Sequence, residues 1–259
     1  RWDPVIVREW LNMSADGKIL VAGASRGIGL AAAKMLLERG RGVIAAARNV
    51  NALKEAFAPY DDAEIFACDF SDVDTIASFA ERINNESGPI SGLVYTAGMQ
   101  LTMPISMNKP DSVKKIFALN TFAPIELIRC FSKKKMIAEQ GASFVLISSL
   151  AAHEGAQGKS LYAATKGALE GFLPSAALEL AQRKIRLNAI VPGIIETAMS
   201  KEFLDKMTEE QRSVINDSYP LGLGAPEDAA SLIFWLLSPE SKWATGQAYM
   251  IDGGHMVRG

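Results

Sequence analysis

Short apolar, β-rich runs alternate with stretches of helical periodicity along almost the whole chain. The runs are Ile19–Ala22, Val43–Ala47, Glu64–Cys68, Gly92–Thr96, Phe144–Ser148, Arg186–Val191 and Gln247–Ile251. Most are continuously apolar rather than alternating, the pattern of parallel strands covered on both faces. Between them the spacing predicts helices over Ile28–Arg39, Val73–Asn85, Ser112–Ala138, Leu161–Gln182 and Pro226–Leu237. Gly40 follows the first of these, where a left-handed cap is expected. Pro226, with Glu227 and Asp228 behind it, suits a first helical turn, where a missing N–H costs nothing and acidic side chains favour the dipole. Repeated strand–helix–strand units need right-handed crossovers, so the expected fold is α/β: a Rossmann-type doubly wound parallel sheet of about seven strands with helices on both faces. No repeat, low-complexity stretch or linker divides the chain. One domain over residues 17–259 is expected, preceded by a surface extension, residues 1–16.

Composition changes this picture little but excludes several functions. Of 259 residues, 49% are apolar and 22% charged, and the formal net charge is −2. Such a balance argues against a nucleic-acid partner, which normally shows a basic excess on one face. The one dense basic run, Lys133-Lys134-Lys135, reads as a solvated helix face. Two cysteines, Cys68 and Cys130, give neither a disulfide framework nor metal-ligand spacing, and they fit a reducing cytoplasm. No apolar run approaches the ~20 residues that span a bilayer. The first residues lack the order of a signal peptide.

Candidate chemistry begins at the first strand–helix junction, Ala22-Gly23-Ala24-Ser25-Arg26-Gly27-Ile28-Gly29. Glycines here permit a tight turn, close approach of backbone to a pyrophosphate and close packing of helix on strand. The phosphates would sit at the helix N-terminus. An NAD site usually places Asp or Glu at the end of the second strand to hold the ribose 2′-hydroxyl. This chain instead reads Ala45-Ala46-Ala47-Arg48, with no acid from Gly40 to Asn51. Arg48, helped by Arg26, can meet a 2′-phosphate bidentately, so NADP(H) is expected over NAD.

Further on stand Ser148-Ser149 and then Tyr162-Ala163-Ala164-Thr165-Lys166. Tyr162 and Lys166, four apart, share a helix face. A neighbouring ammonium, with the positive charge of an oxidised nicotinamide, is expected to lower the phenol's pKa toward working pH. A phenol so poised can give a proton to a nascent alkoxide or take one from an alcohol. Ser149 would hydrogen-bond the same oxygen.

With these segments together, the sequence resembles the short-chain dehydrogenase/reductase family in its ~250-residue form. The resemblance runs from about Asp16 to Gly254, through the glycine segment, Cys68-Asp69-Phe70, Ala97-Gly98, Asn120, Ser149, Tyr162 to Lys166, Pro192-Gly193-Ile194-Ile195-Glu196-Thr197 and Asp252-Gly253-Gly254. It implies that Asp69, with Phe70 beside it, meets the adenine, and that Ala97 and Gly98 pass the cofactor ribose by backbone. It also implies that Pro192, Gly193, Ile195 and Thr197 grip the carboxamide side of the nicotinamide, and that Lys166 binds the ribose hydroxyls. Asn120 would kink the long helix and hold a water that links Lys166 to solvent. Two departures stand out: Ala22 where the family often has Thr, and Tyr95-Thr96 where it often has Asn-Asn. Both lost side chains brace the central strands.

The resemblance implies a small-molecule ketone or secondary alcohol as substrate, with 3-oxoacyl thioesters and keto-sugars as classes. A lid over about 197–223 would close on it, carrying Met199, Phe203, Leu204, Met207 and Tyr219, opposite Met99, Leu101 and Met103. Those residues could line an apolar mouth or form the buried stripe of small lid helices. His153 and His255 read as incidental. Ser231-Leu232-Ile233-Phe234-Trp235-Leu236-Leu237 is apolar around most of its helix, which suggests an isologous interface and a homotetramer or homodimer. The rival reading is a catalytically idle dinucleotide-binding sensor or assembly protein. The complete set of Asn120, Ser149, Tyr162 and Lys166 argues against it, because an idle site needs none of the four. A nicotinamide-retaining epimerase would need a longer substrate region than this length allows.

Overall fold

The computed structural model describes residues 17–205 and 207–257; the expected extension, residues 1–16, and the side chain of Phe203 lie outside the described residues. Seven strands form one parallel sheet: β1 (Lys18–Ala22), β2 (Val43–Ala47), β3 (Ala63–Ala67), β4 (Ile90–Tyr95), β5 (Ala142–Ile147), β6 (Ile185–Pro192) and β7 (Ala248–Ile251). Their order is β3-β2-β1-β4-β5-β6-β7. The chain winds outward from β1 through β2 to β3, then returns to start again at β4. β1 and β4 are therefore neighbours whose following helices lie on opposite faces, which opens a crevice at their carboxyl ends.

Alternate residues of the inner strands feed two cores. Leu20, Ile44, Leu93, Phe144 and Leu187 face one side, against α3 (Ile76–Ser87), α5 (Ala123–Phe131) and α6 (Ser160–Ala181). Ile19, Val21, Val43, Val94 and Ile190 face the other, against α1 (Gly27–Glu38), α2 (Val50–Phe57) and α9 (Pro226–Leu237). Burial on both faces explains why the strands read as unbroken apolar runs. Gly40 takes φ 74 beyond α1, and Pro226 opens α9. Helix α2 escaped the periodicity because it is only eight residues long; its signal is the cap, Asn49, whose side chain accepts from Ala52 N at 3.1 Å.

The long helix expected over Ser112–Ala138 is broken and shorter. α4 (Pro110–Phe117) runs into a π-helical turn, Ala118–Phe122, and α5 ends at Phe131. Beyond it Ile137 is drawn into a parallel bridge with Ile90, where Ile90 N donates to Met136 O and Ala138 N to Ile90 O. Pairing with the start of β4 overrides helical periodicity there. Lys133, Lys134 and Lys135 are exposed in that turn, not on a helix face. The lid region carries α7 (Ala198–Leu204) and α8 (Glu209–Asp217), the latter opened by a capping box of Thr208 and Gln211.

Candidate active site

At the carboxyl ends of the strands lies a cleft of about 530 Å³. Its inner end is built on the β1–α1 turn, where Gly23, Ser25, Arg26, Gly27, Ile28 and Gly29 all line the wall. Gly23 has φ 96, and a β-carbon there would lie 2.6 Å from Ala97 N. Only glycine lets β1 pass β4 this closely. Arg26 caps α1 without a side-chain bond, and no acid stands in its first turn. The N–H groups and positive dipole end of α1 are thus left for an outside acceptor.

The lost braces are replaced from within. Thr96 Oγ1 donates to Ala22 O at 2.9 Å and lies 3.2 Å from Gly23 O, while Tyr95 Oη donates to Leu119 O at 2.6 Å. Side chains from β4 therefore tie down both the glycine turn and the π-helical turn.

Arg48, beside Asn49 and Ala52, lines the cleft at the end of β2, near Arg26. Asp69 and Phe70 follow from β3. Partial burial pushes the Asp69 carboxyl up, but bonds from Ser71 Oγ (2.7 Å) and Ser71 N (3.0 Å), with the Arg48 charge nearby, outweigh it and hold the group below its ordinary value. Ala97, Gly98, Pro192, Gly193, Ile195 and Thr197 line the middle of the same cleft. The structure thus gathers every residue named above for dinucleotide contact, from five strand ends and the helix Ser160–Ala181, around one cleft.

At the chemical end stand Ser149, Tyr162 and Lys166. Lys166 is buried, with its ammonium donating to Ile147 O at 2.7 Å and lying 5.7 Å from the Tyr162 ring centre. Burial pulls its pKa down to about 8. Burial raises the pKa of the Tyr162 phenol, and the hydrogen bond from Ser149 lowers it in part. The phenol is held protonated at neutral pH. Asn120 does not line the cleft; it sits behind it, fully buried. Its Oδ1 accepts from Met99 N (2.9 Å), and its Nδ2 donates to Met99 O (2.9 Å) and Thr165 Oγ1 (3.1 Å). Thr165 lies one residue from Lys166, so the π-helical turn is fastened to the helix that carries both Tyr162 and Lys166.

At the outer mouth, Met99, Met199 and Tyr219 line the cleft, whereas Leu101, Met103, Leu204 and Met207 do not. Leu204 is buried instead. His153 pairs with Glu170 at 2.8 Å, and Ser148 Oγ bonds the same carboxylate. His255 turns out to be a rim residue. Its Nε2 meets Glu154 Oε2 at 2.9 Å, and its ring stacks on Tyr219 with 4.6 Å between centroids. Tyr219 Oη accepts from Ile194 N at 3.1 Å, and Gly193 leaves room for that ring. Glu154, Lys159, Gln100 and Ser200 also line the mouth. Residues 101 positions apart, such as Glu154 and His255, carry no signal of their meeting in the sequence. Among the described residues no cluster of three or more His, Cys, Asp or Glu could hold a metal, and no helix is long and apolar enough to cross a membrane.

Fold and cleft together are those of a doubly wound α/β protein with its site at the carboxyl ends of the strands. The chain belongs to the short-chain dehydrogenase/reductase family of oxidoreductases: residues 23–256 match the family model described as enoyl-(acyl carrier protein) reductase. It is 34% identical over 246 residues to the 3-oxoacyl-[acyl-carrier-protein] reductase FabG of Vibrio harveyi, covering 93% of this chain and 98% of that one. To carbonyl reductase family member 4 of Xenopus laevis it is 33% identical over 235 residues, 90% of this chain and 95% of the other. Among solved structures, a short-chain type dehydrogenase/reductase from Mycobacterium ulcerans superposes with TM-score 0.86 at 28% identity, over 94% of this chain and 90% of that one. ElxO with NADP bound gives 0.83 at 26%, over 94% and 100%.

Proposed function

We propose that this chain is an NADP(H)-dependent ketoreductase in which Tyr162 passes the proton between the enzyme and the carbonyl oxygen of the substrate. The carrying observation is the convergence of Ser149, Tyr162 and Lys166 at the end of a cleft whose other wall offers a bare helix N-terminus and two arginines. The dinucleotide fits the residues present: a glycine turn that a β-carbon would fill, unclaimed N–H groups at α1, and guanidinium rather than carboxylate where a 2′-substituent would lie. Relatives named as 3-oxoacyl reductases, and ElxO with NADP bound, point the same way.

When bound, the dinucleotide supplies the hydride. The chain's own residues do the rest. Ser149 donates a hydrogen bond that orients the carbonyl oxygen beside Tyr162. The phenol, kept protonated by burial, is a general acid in the reducing direction. Lys166 holds the nicotinamide ribose, and its ammonium, poised near pH 8, offsets negative charge left on the phenol oxygen. Asn120 is a positioning residue, setting Met99 and the Tyr162–Lys166 helix in register.

A screen following NADPH oxidation over 3-oxoacyl thioesters, keto-sugars, small cyclic ketones and an enoyl thioester tests this reading. Turnover of a ketone class with the enoyl thioester inert is expected. Enoyl reduction alone would instead favour the activity in the family's description, and inertness toward all four would favour the idle sensor.

A further inference from the structure

A second cavity, of about 570 Å³, lies at the opposite end of the sheet from the cleft. Where the cleft uses the carboxyl ends of the strands, this cavity uses their beginnings: Arg41 ahead of β2, Ser91 in the first turn of β4, Ala142 and Ser143 of β5, Ile185 and Arg186 of β6. Among the described residues its lining includes four cationic side chains, Arg41, Lys184, Arg186 and Lys242, and no carboxylate.

Arg41 is the anomaly. It is 7% exposed, yet among the described residues its guanidinium makes one hydrogen bond, Nη2 to Ser91 Oγ at 3.2 Å, and no ion pair. Ser91 Oγ in turn donates to Gly17 O at 2.7 Å, so the serine offers no negative charge. A buried guanidinium is normally paired with a carboxylate or another anion, because its desolvation is otherwise uncompensated. Burial does lower the Arg41 pKa, with no acid opposing it.

Part of the cationic wall is held in place. Arg186 clamps the loop after α9 by donating to Leu236 O at 2.7 Å, Ser238 O at 3.2 Å and Ala244 O at 3.3 Å. Lys184 holds φ 58, a left-handed conformation that a side chain rarely adopts, where Gly141 packs against it. The lining also carries the apolar side chains of Leu237, Pro239 and Trp243, the last 98% exposed. Apolar walls with a few convergent polar groups, in this volume range, are what small-molecule sites share.

We propose that this cavity is a second ligand site, separate from the cleft, that takes a small organic anion: a carboxylate or phosphate head held by Arg41, on a flat ring lying against Trp243. The two head groups share the chemistry of anionic oxygens meeting a guanidinium fork.

Calorimetric titration of the intact protein with 2-naphthoate, 2-naphthyl phosphate, 2-naphthylmethanol and inorganic phosphate tests it, each run with and without saturating NADPH. One molecule of either naphthyl anion should bind per chain, equally well with NADPH present, and the neutral alcohol at least tenfold more weakly. The head group bound more tightly identifies the source class. Arg41→Met should weaken the anions at least tenfold, the loss of charged hydrogen bonds. Because that change is buried, Lys242→Met and Trp243→Ala on the exposed rim serve as the second test, each expected to weaken binding about threefold to tenfold without altering the NADPH affinity. Equal affinity for the neutral alcohol, binding that all three variants leave intact, or no binding at millimolar anion would overturn the proposal. Binding of inorganic phosphate as tight as the naphthyl phosphate would also overturn it, since the ring would then contribute nothing.

Discussion

At the scale of single residues, the site is a set of competing electrostatic demands. Lys166 is buried without a carboxylate and pays in basicity, its pKa drawn down to about 8. Tyr162 is half-buried beside it, and desolvation raises the pKa of its phenol. The sequence spacing of four could report that these two meet, but not how far each is desolvated, since burial is not written in a local pattern. Arg48 is the opposite case. Its place at the end of β2, and the lack of an acid there, were fully legible because both are local. Arg48→Asp is therefore expected to raise the Kd for NADPH about 100-fold while changing that for NADH less than threefold, the difference being loss of charge-assisted bonds to one phosphate. Fluorescence titration with both nucleotides checks this, and an equal loss for the two would remove Arg48 from that role.

At the scale of elements, alternation of apolar runs with helical periodicity was enough for seven strands in the right places and for the parallel sheet. The failures share a cause. The helix expected to reach Ala138 stops at Phe131 because Ile137 pairs with Ile90, a contact 47 residues away. The rim formed by Glu154, Tyr219 and His255 was equally hidden, being assembled from three distant segments. Asn120 shows what the π-helical turn is for: an extra residue in the turn delivers the amide to Met99 and Thr165. Asn120→Leu, with the same branching but no polar atoms, should leave those groups unpaired and cost about 3 kcal/mol, lowering Tm by roughly 6–12 °C. Calorimetry showing a fall below 2 °C would mean that the turn does not depend on this side chain.

At the scale of the whole molecule, the apolar surface exceeds what one chain needs. β7 has β6 as its single neighbour and exposes Met250, and Phe122 and Leu178 are exposed on the face that carries α5 and α6. An open edge and an apolar face elsewhere on the molecule are what two perpendicular two-fold interfaces would use. Light scattering should accordingly give a mass near four times 27.9 kDa. A monomer at micromolar concentration would refute that assembly while leaving the chemistry untouched.

The proposed chemistry turns on one hydroxyl. Tyr162→Phe keeps the ring, its packing and the cleft, and removes only the group proposed to carry the proton. Measured with the best ketone from the screen, kcat should fall about 10³-fold or more, while the NADPH Kd stays within twofold. Turnover within tenfold of the parent would contradict the account, because the proton would then reach the substrate without Tyr162.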